Sequence, residues 1–392
     1  MKLKMAFILL SLVAMFSVNC SGNLTDKKES KEDKKDQVVV KELQPIDTFS
    51  YQGYNTVARI LAGKMPDDTV FLSDIVASSA FKSHKNTFNS VWDAHKDNLD
   101  VITDWSKQNI TSQDTVFYPF GGPDFNYLDA FFPDSKLCML IGLEKGGVIP
   151  FSDKKSISNA SVILNMVNSS VQSNLNWSFF RTISMRKDLA GYLEGTLPII
   201  MMFMSRHDYD IVNINPVFLN NQGLFEYTDK DNIYSYTLQK DFSNSYEIIY
   251  KKPEESEMRK LYYFSMDVGD TVVNKQSFSL MMENYFNGKT TFLKAASYLL
   301  DKKGFDFIKG EILDNSDEIV TGPSGMQHRF FDDSWKIDYY GSYVGPIRLF
   351  YDRQQNDLKE AYKNNDVKEL PFKFDYHQTH CSLIIARKNK VN

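Results

Sequence analysis

The apolar positions of this chain change period several times, and each change marks an element. Residues 5 to 18, "MAFILLSLVAMFSV", form an almost unbroken apolar run behind Lys2 and Lys4. In "YNTVARILA", Tyr54, Val57, Ala58, Leu61 and Ala62 share one helical face, and Gly63 closes it. Phe81, His84, Phe88, Trp92, His95, Leu99, Ile102 and Trp105 recur at helical spacing, which predicts one or two helices against a core. The period then shortens. "TVFYPF" and "KLCMLIGL" are brief continuous apolar runs, as strands covered on both faces require.

Further on, Ser156 is placed to cap a helix with a buried stripe of Ile157, Ala160, Leu164, Val167 and Val171. "LPIIMMFM" reads as a buried strand or helix, and "YDIVNINPVFLN" alternates as a strand that turns at Asn220 to Gly223. "IYSYTLQ", "YEIIYKK" and "KLYYFSM" form a strand-rich meander. "SFSLMMENYF" and "FLKAASYLLDKKGF" return to helical spacing, the second through Phe292, Ala295, Ala296, Leu299 and Leu300. "EIVTGPSGMQHRFF" sets a Gly-Pro-Ser-Gly turn between two short strands; "WKIDYYGSYVGPIRLF" and "CSLIIARK" add more. Interleaved helices and strands predict an α/β fold: a Rossmann-like, mostly parallel sheet flanked by helices, built around residues 114 to 144, with a strand-rich portion near 207–265.

The N-terminal run is shorter than the roughly 20 apolar residues of a membrane span. Behind its basic head it reads as an export signal. Ser17-Val18-Asn19-Cys20 resembles a lipobox, the bacterial lipoprotein signature, although Asn19 stands where Gly, Ala or Ser is usual. The resemblance implies a signal peptide over 1–19, an acylated Cys20 and a membrane anchor in the cell envelope. Ser21 after the cysteine, in place of an aspartate, points to the outer membrane of a Gram-negative bacterium. Each buried acyl methylene contributes about 0.8 kcal/mol to such anchoring. "SGNLTDKKESKEDKKDQ" has too few large apolar groups to fold, so residues 20–46 are expected to be a disordered tether and 47–392 the globular domain.

Composition narrows the function classes. At 42% apolar and 14% aromatic the chain has ample material for a core. A net charge of −5 and a pI of about 5.8 lack the basic stripe of a nucleic-acid binder. Cys138 and Cys381 sit beside apolar runs, where a thiol behaves as a small hydrophobe. A disulfide between them stays open, because pairing cannot be read from spacing.

Candidate chemistry centres on "FYPFGGPDFNYLDAFFPD". A strand, a glycine turn, a short helix and a second strand ending in an acid is the layout of a dinucleotide site, and Glu144 falls 23 residues after Gly121. Asp124 is placed to cap the helix and Pro133 to end it. Phosphate is poorly served, since Pro123 removes an N–H donor and Asp124 brings a carboxylate. A phosphate-free ligand such as S-adenosylmethionine escapes that repulsion. The segment loosely resembles the first two strands of class I methyltransferases, without their G-x-G-x-G. Gly121, Gly122, Asp124 and Glu144 are therefore the candidate ligand residues, weighed against a purely structural turn.

Together with "FLKAASYLL", "DEIVTGPSGMQHRFF" and "WKIDYYGSYVGPI", this stretch resembles an uncharacterised family of bacterial proteins, often lipoproteins, along most of residues 50–388. The resemblance implies one contiguous unit and no assigned activity. Other constellations are weaker. His377, His380 and Cys381, even with His207 or His328, do not make a zinc pattern, so no metal is expected. Ser152 and Ser184 each begin an S-x-x-K without the partner motifs of penicillin-recognising enzymes. Tyr118, Trp335, Tyr339, Tyr340, Tyr343 and Tyr351 either line a groove for a sugar or peptide, or pack the sheet. The reading that results is an envelope lipoprotein that binds a partner or ligand, with a methyltransferase-like enzyme or degenerate enzyme as the alternative.

Overall fold

The two continuous apolar runs lie side by side as parallel strands, β1 (Thr115–Tyr118) and β2 (Leu137–Gly142), joined by the short helix Phe125–Phe131. The computed structural model describes residues 51–68, 70–111, 114–177, 195–227, 245–374 and 380–389. The export signal, Cys20, the tether, "IYSYTLQ", Ser184 and His377 lie outside them.

The remaining strands are β3 (Asp210–Leu219), β4 (Phe225–Tyr227), β5 (Ser245–Lys251), β6 (Arg259–Ser265), β7 (Lys289–Leu293), β8 (Ser316–Thr321), β9 (Trp335–Gly341), β10 (Val367–Lys368) and β11 (Ser382–Lys388). Among the described residues they form one sheet of eleven, ordered β10-β9-β11-β8-β7-β1-β2-β6-β5-β3-β4. The expectation of a mostly parallel sheet is corrected here: five pairings are parallel and five antiparallel. A contiguous parallel block, β8-β7-β1-β2-β6, occupies the middle. The strands of the 207–265 portion extend it as a hairpin meander, and β11 runs back antiparallel between β8 and β9. Short loops allow only antiparallel neighbours; parallel ones need crossovers of a dozen residues or more.

Alternation along the central strands divides the core into two layers. Val116, Tyr118, Cys138, Leu140, Leu261 and Tyr263 join one cluster, and Phe117, Met139, Ile141, Tyr262 and Phe264 the other. The first layer is covered by α1 (Tyr51–Leu61), α3 (Ser79–Asn109), α4 (Phe125–Phe131), α6 (Ala160–Trp177) and α7 (Leu197–Arg206), with α2 (Ser73–Ala77) and α5 (Lys154–Ser158) as short connectors. The second is covered by α8 (Lys275–Met281) and α9 (Asp306–Asn315), while α10 (Asn356–Asn364) packs near β9. No helix among the described residues is long and apolar enough to cross a membrane.

Three local expectations are revised. Asp153, not Ser156, caps the helix before α6; Ser156 closes a reciprocal capping box with it, and Ile157 is exposed. Residues 289–293 are a strand, not the start of a helix; the helical spacing of Phe292 with Ala296 and Leu300 is incidental. "MQHRFF" holds a single 3-10 turn, His328–Phe330, in place of a strand.

Candidate functional site

Every strand of the parallel block ends at the same edge, and the loops that follow β1, β2 and β7 meet there. The order of these five strands reverses direction at β1, whose neighbours are β2 on one side and β7 on the other. In open α/β sheets such a reversal leaves a crevice beyond the carboxyl ends of the strands.

The glycine turn is held to β2 by Gly122 N–H, which donates to Ile141 O at 3.0 Å. Gly122 has φ +54° and Phe120 before it φ +65°, a left-handed conformation that costs a phenylalanine about 1 kcal/mol or more. Glu144 folds back over this turn. A Cβ on Gly142 would lie 2.8 Å from Glu144 Oε2 and 2.9 Å from Gly122 Cα, and one on Gly122 would lie 3.8 Å from the same carboxylate oxygen. Glycine at 142 is thus what lets the acid approach the turn. Glu144 is only 9% exposed, and unlike Asp124 it stands in no ion pair with a described residue. Its backbone carbonyl is fixed by the Tyr263 hydroxyl at 2.6 Å. Burial, and the charge of Glu144 beside it, push the Tyr263 hydroxyl up, so it stays a neutral donor.

Asp124 faces the other way. It caps α4 through Tyr127 N–H at 3.3 Å, accepts the Tyr118 hydroxyl at 2.9 Å, and pairs with Lys294 Nζ at 2.5 Å. Lys294, the first residue after β7, is 1% exposed, and its ammonium stands 3.4 Å from the Tyr127 ring centroid. Gly121 brings the turn against β1, since a Cβ there would lie 2.9 Å from the Tyr118 ring. Of the four candidate residues, the fold joins Gly122 with Glu144 and sends Asp124 to Lys294. Lys294 escaped the sequence reading, although a lone lysine inside "TTFLKAA" is the kind of charge that needs a buried partner.

A second polar network gathers near the start of β6. His207 Nδ1 lies 2.8 Å from Asp129 Oδ2, its Nε2 lies 2.9 Å from Asn126 Oδ1, and Tyr209 donates to Asp129 Oδ1 at 2.7 Å. Arg259 and Lys252 lie over the Tyr209 ring. These groups satisfy one another.

Among the described residues no group of three or more His, Cys, Asp or Glu could hold a metal ion, and His380 is exposed. Ser152 donates to Ile149 O. Cys138 and Cys381 are buried thiols that are not joined to each other, so the pairing left open by the sequence is not formed. Tyr118, Trp335, Tyr339 and Tyr340 are buried in the sheet and Tyr343 is half-buried, leaving Tyr351 alone of that set exposed. No family model, curated protein or solved structure matches the chain.

Proposed function

We propose that this chain is a lipid-anchored cell-envelope protein whose folded domain is a Rossmann-like, methyltransferase-like module for a small hydroxylated ligand. The observation that carries the reading is Glu144: a largely buried carboxylate just past the end of the second parallel strand, folded back over a glycine turn. A carboxylate there suits two neighbouring hydroxyl groups, as on a ribose, because each of its oxygens accepts a hydrogen bond. The strand order supports the plan. Counting only the parallel block and its C-terminal extension, β6-β2-β1-β7-β8-β11-β9 resembles the class I methyltransferase sheet, in which the last strand is antiparallel and enters between the fifth and sixth.

The envelope address rests on the lipobox-like Ser17 to Cys20 and on the tether that follows, and mass spectrometry of the mature N-terminus tests it. For the site, thermal-shift screening with nucleosides, sulphonium cofactors and sugars is the direct experiment. A ligand that raises Tm with the native chain and not with Glu144→Ala supports the reading; a flat response to all three classes overturns it.

A further inference from the structure

We infer that the ligand is a neutral nucleoside or a compound of that size, and that the half of the crevice able to hold a charged tail is sealed. The inference rests on the proposed site at Glu144. A ligand held there by its hydroxyls and extending further must cross the Gly121-Gly122 turn toward β7, on the other side of the strand reversal. On that side stand Asp124, two residues after the turn, and Lys294, the first residue after β7, which are 2% and 1% exposed. They are committed to each other at 2.5 Å, with the Tyr118 hydroxyl on the same Asp124 oxygen and the Tyr127 ring against the ammonium.

Neither kind of charged tail finds an uncommitted counter-charge, because Asp124 and Lys294 neutralise each other. For a sulphonium or ammonium group, the Asp124 carboxylate is already held by Lys294 and the Tyr118 hydroxyl. For a phosphate, the Lys294 ammonium is already held by Asp124, and Pro123 contributes no N–H. Asp124 and Lys294 cannot turn to serve the ligand instead, because separating a buried pair leaves an uncompensated charge on each side. Methyl transfer needs the sulphonium centre in place, so a site that admits only the nucleoside half binds without turning over.

Isothermal titration of the native chain with adenosine, S-adenosylmethionine and adenosine monophosphate tests this. Adenosine is expected to bind at least tenfold more tightly than either charged compound, and Glu144→Gln to weaken it at least tenfold. Lys294→Ala, which frees Asp124, is expected to raise the affinity for S-adenosylmethionine relative to adenosine. Tighter binding of S-adenosylmethionine by the native chain overturns the sealed half-site and leaves the Glu144 site standing. Absence of binding by all three overturns both. The native selectivity ratio decides even if Lys294→Ala fails to fold.

Discussion

His207 Nδ1 and Asp129 Oδ2 lie 2.8 Å apart, and this contact joins the end of α7 to α4, the helix that follows the glycine turn. Burial by itself would raise the Asp129 pKa. The charge and hydrogen bond of His207, with the charge of Lys252 and the Tyr209 hydroxyl, hold it below the ordinary carboxylate range. A carboxylate depressed in the folded state adds stability above its unfolded pKa of about 3.9, and that stability is lost as pH falls through the folded value. Asp129→Asn is expected to cost about 3 kcal/mol near neutrality, because it breaks a buried pair. Urea midpoints recorded from pH 7 down to pH 3 should show the native chain losing more stability than the variant over the acidic limb.

Arg387 on β11 is expected to be the most costly surface arginine to remove. Its guanidinium binds Glu318, Asp338, the Asn109 carbonyl and Thr111 Oγ1, fastening the end of α3 to three strands. Glu318 is only 3% exposed and loses its cation in Arg387→Ala. A loss of about 2 kcal/mol in denaturant unfolding follows, against a much smaller one for Lys363→Ala at an exposed helical pair.

Gly195→Ala should disrupt the fold near the site, and Gly142→Ala the site itself. A Cβ at 195 would stand 2.4 Å from the Gly146 carbonyl carbon and oxygen, at a φ of +91°. Backbone cannot yield as a side chain does, so a cost of about 3 kcal/mol or more is expected from thermal unfolding. At 142 a Cβ would meet the Glu144 carboxylate at 2.8 Å and both the Gly122 Cα and the Tyr263 hydroxyl at 2.9 Å, without a positive φ. Gly142→Ala is therefore expected to lower Tm, by less than Gly195→Ala, and to lose nucleoside binding at least tenfold.

Cys138 and Cys381 should resist thiol reagents until the chain unfolds. Both are buried, and burial pushes the Cys138 thiol up to about 12, so almost no thiolate exists at neutral pH. Spectrophotometric thiol titration should find neither residue reactive in the native protein and both reactive in guanidinium. Rapid labelling of Cys138 in the native state would contradict the packing of β2.

The sequence disclosed what periodicity can carry. β1 and β2 were legible because a strand buried on both faces is apolar without interruption, and α3 because its stripe persists from Phe81 to Trp105 in a helix of 31 residues. β7 was not, since Thr290 to Leu293 is five residues long with Lys289, and the loop after it supplies alanines and leucines at helical intervals. α10 was missed for the opposite reason: only Leu358 and Ala361 of its stripe are buried, too few to mark a period. Glu144 and the glycine turn could be named from order and spacing, but nothing local says that Asp124 points away from them. That depends on Lys294, 170 residues further on, which only the strand order brings alongside.

β11 pairs with β8 on one side and β9 on the other, so the last strand of the sheet is also an interior one. On a ribosome the parallel block is made first, while β9 and β10, paired with each other, have no link to β8 until residue 388 has left the exit tunnel. The assembly is thus closed from its far end, like an arch by its keystone, and a chain cut short before Ser382 would carry an unfilled gap in mid-sheet for proteases to find.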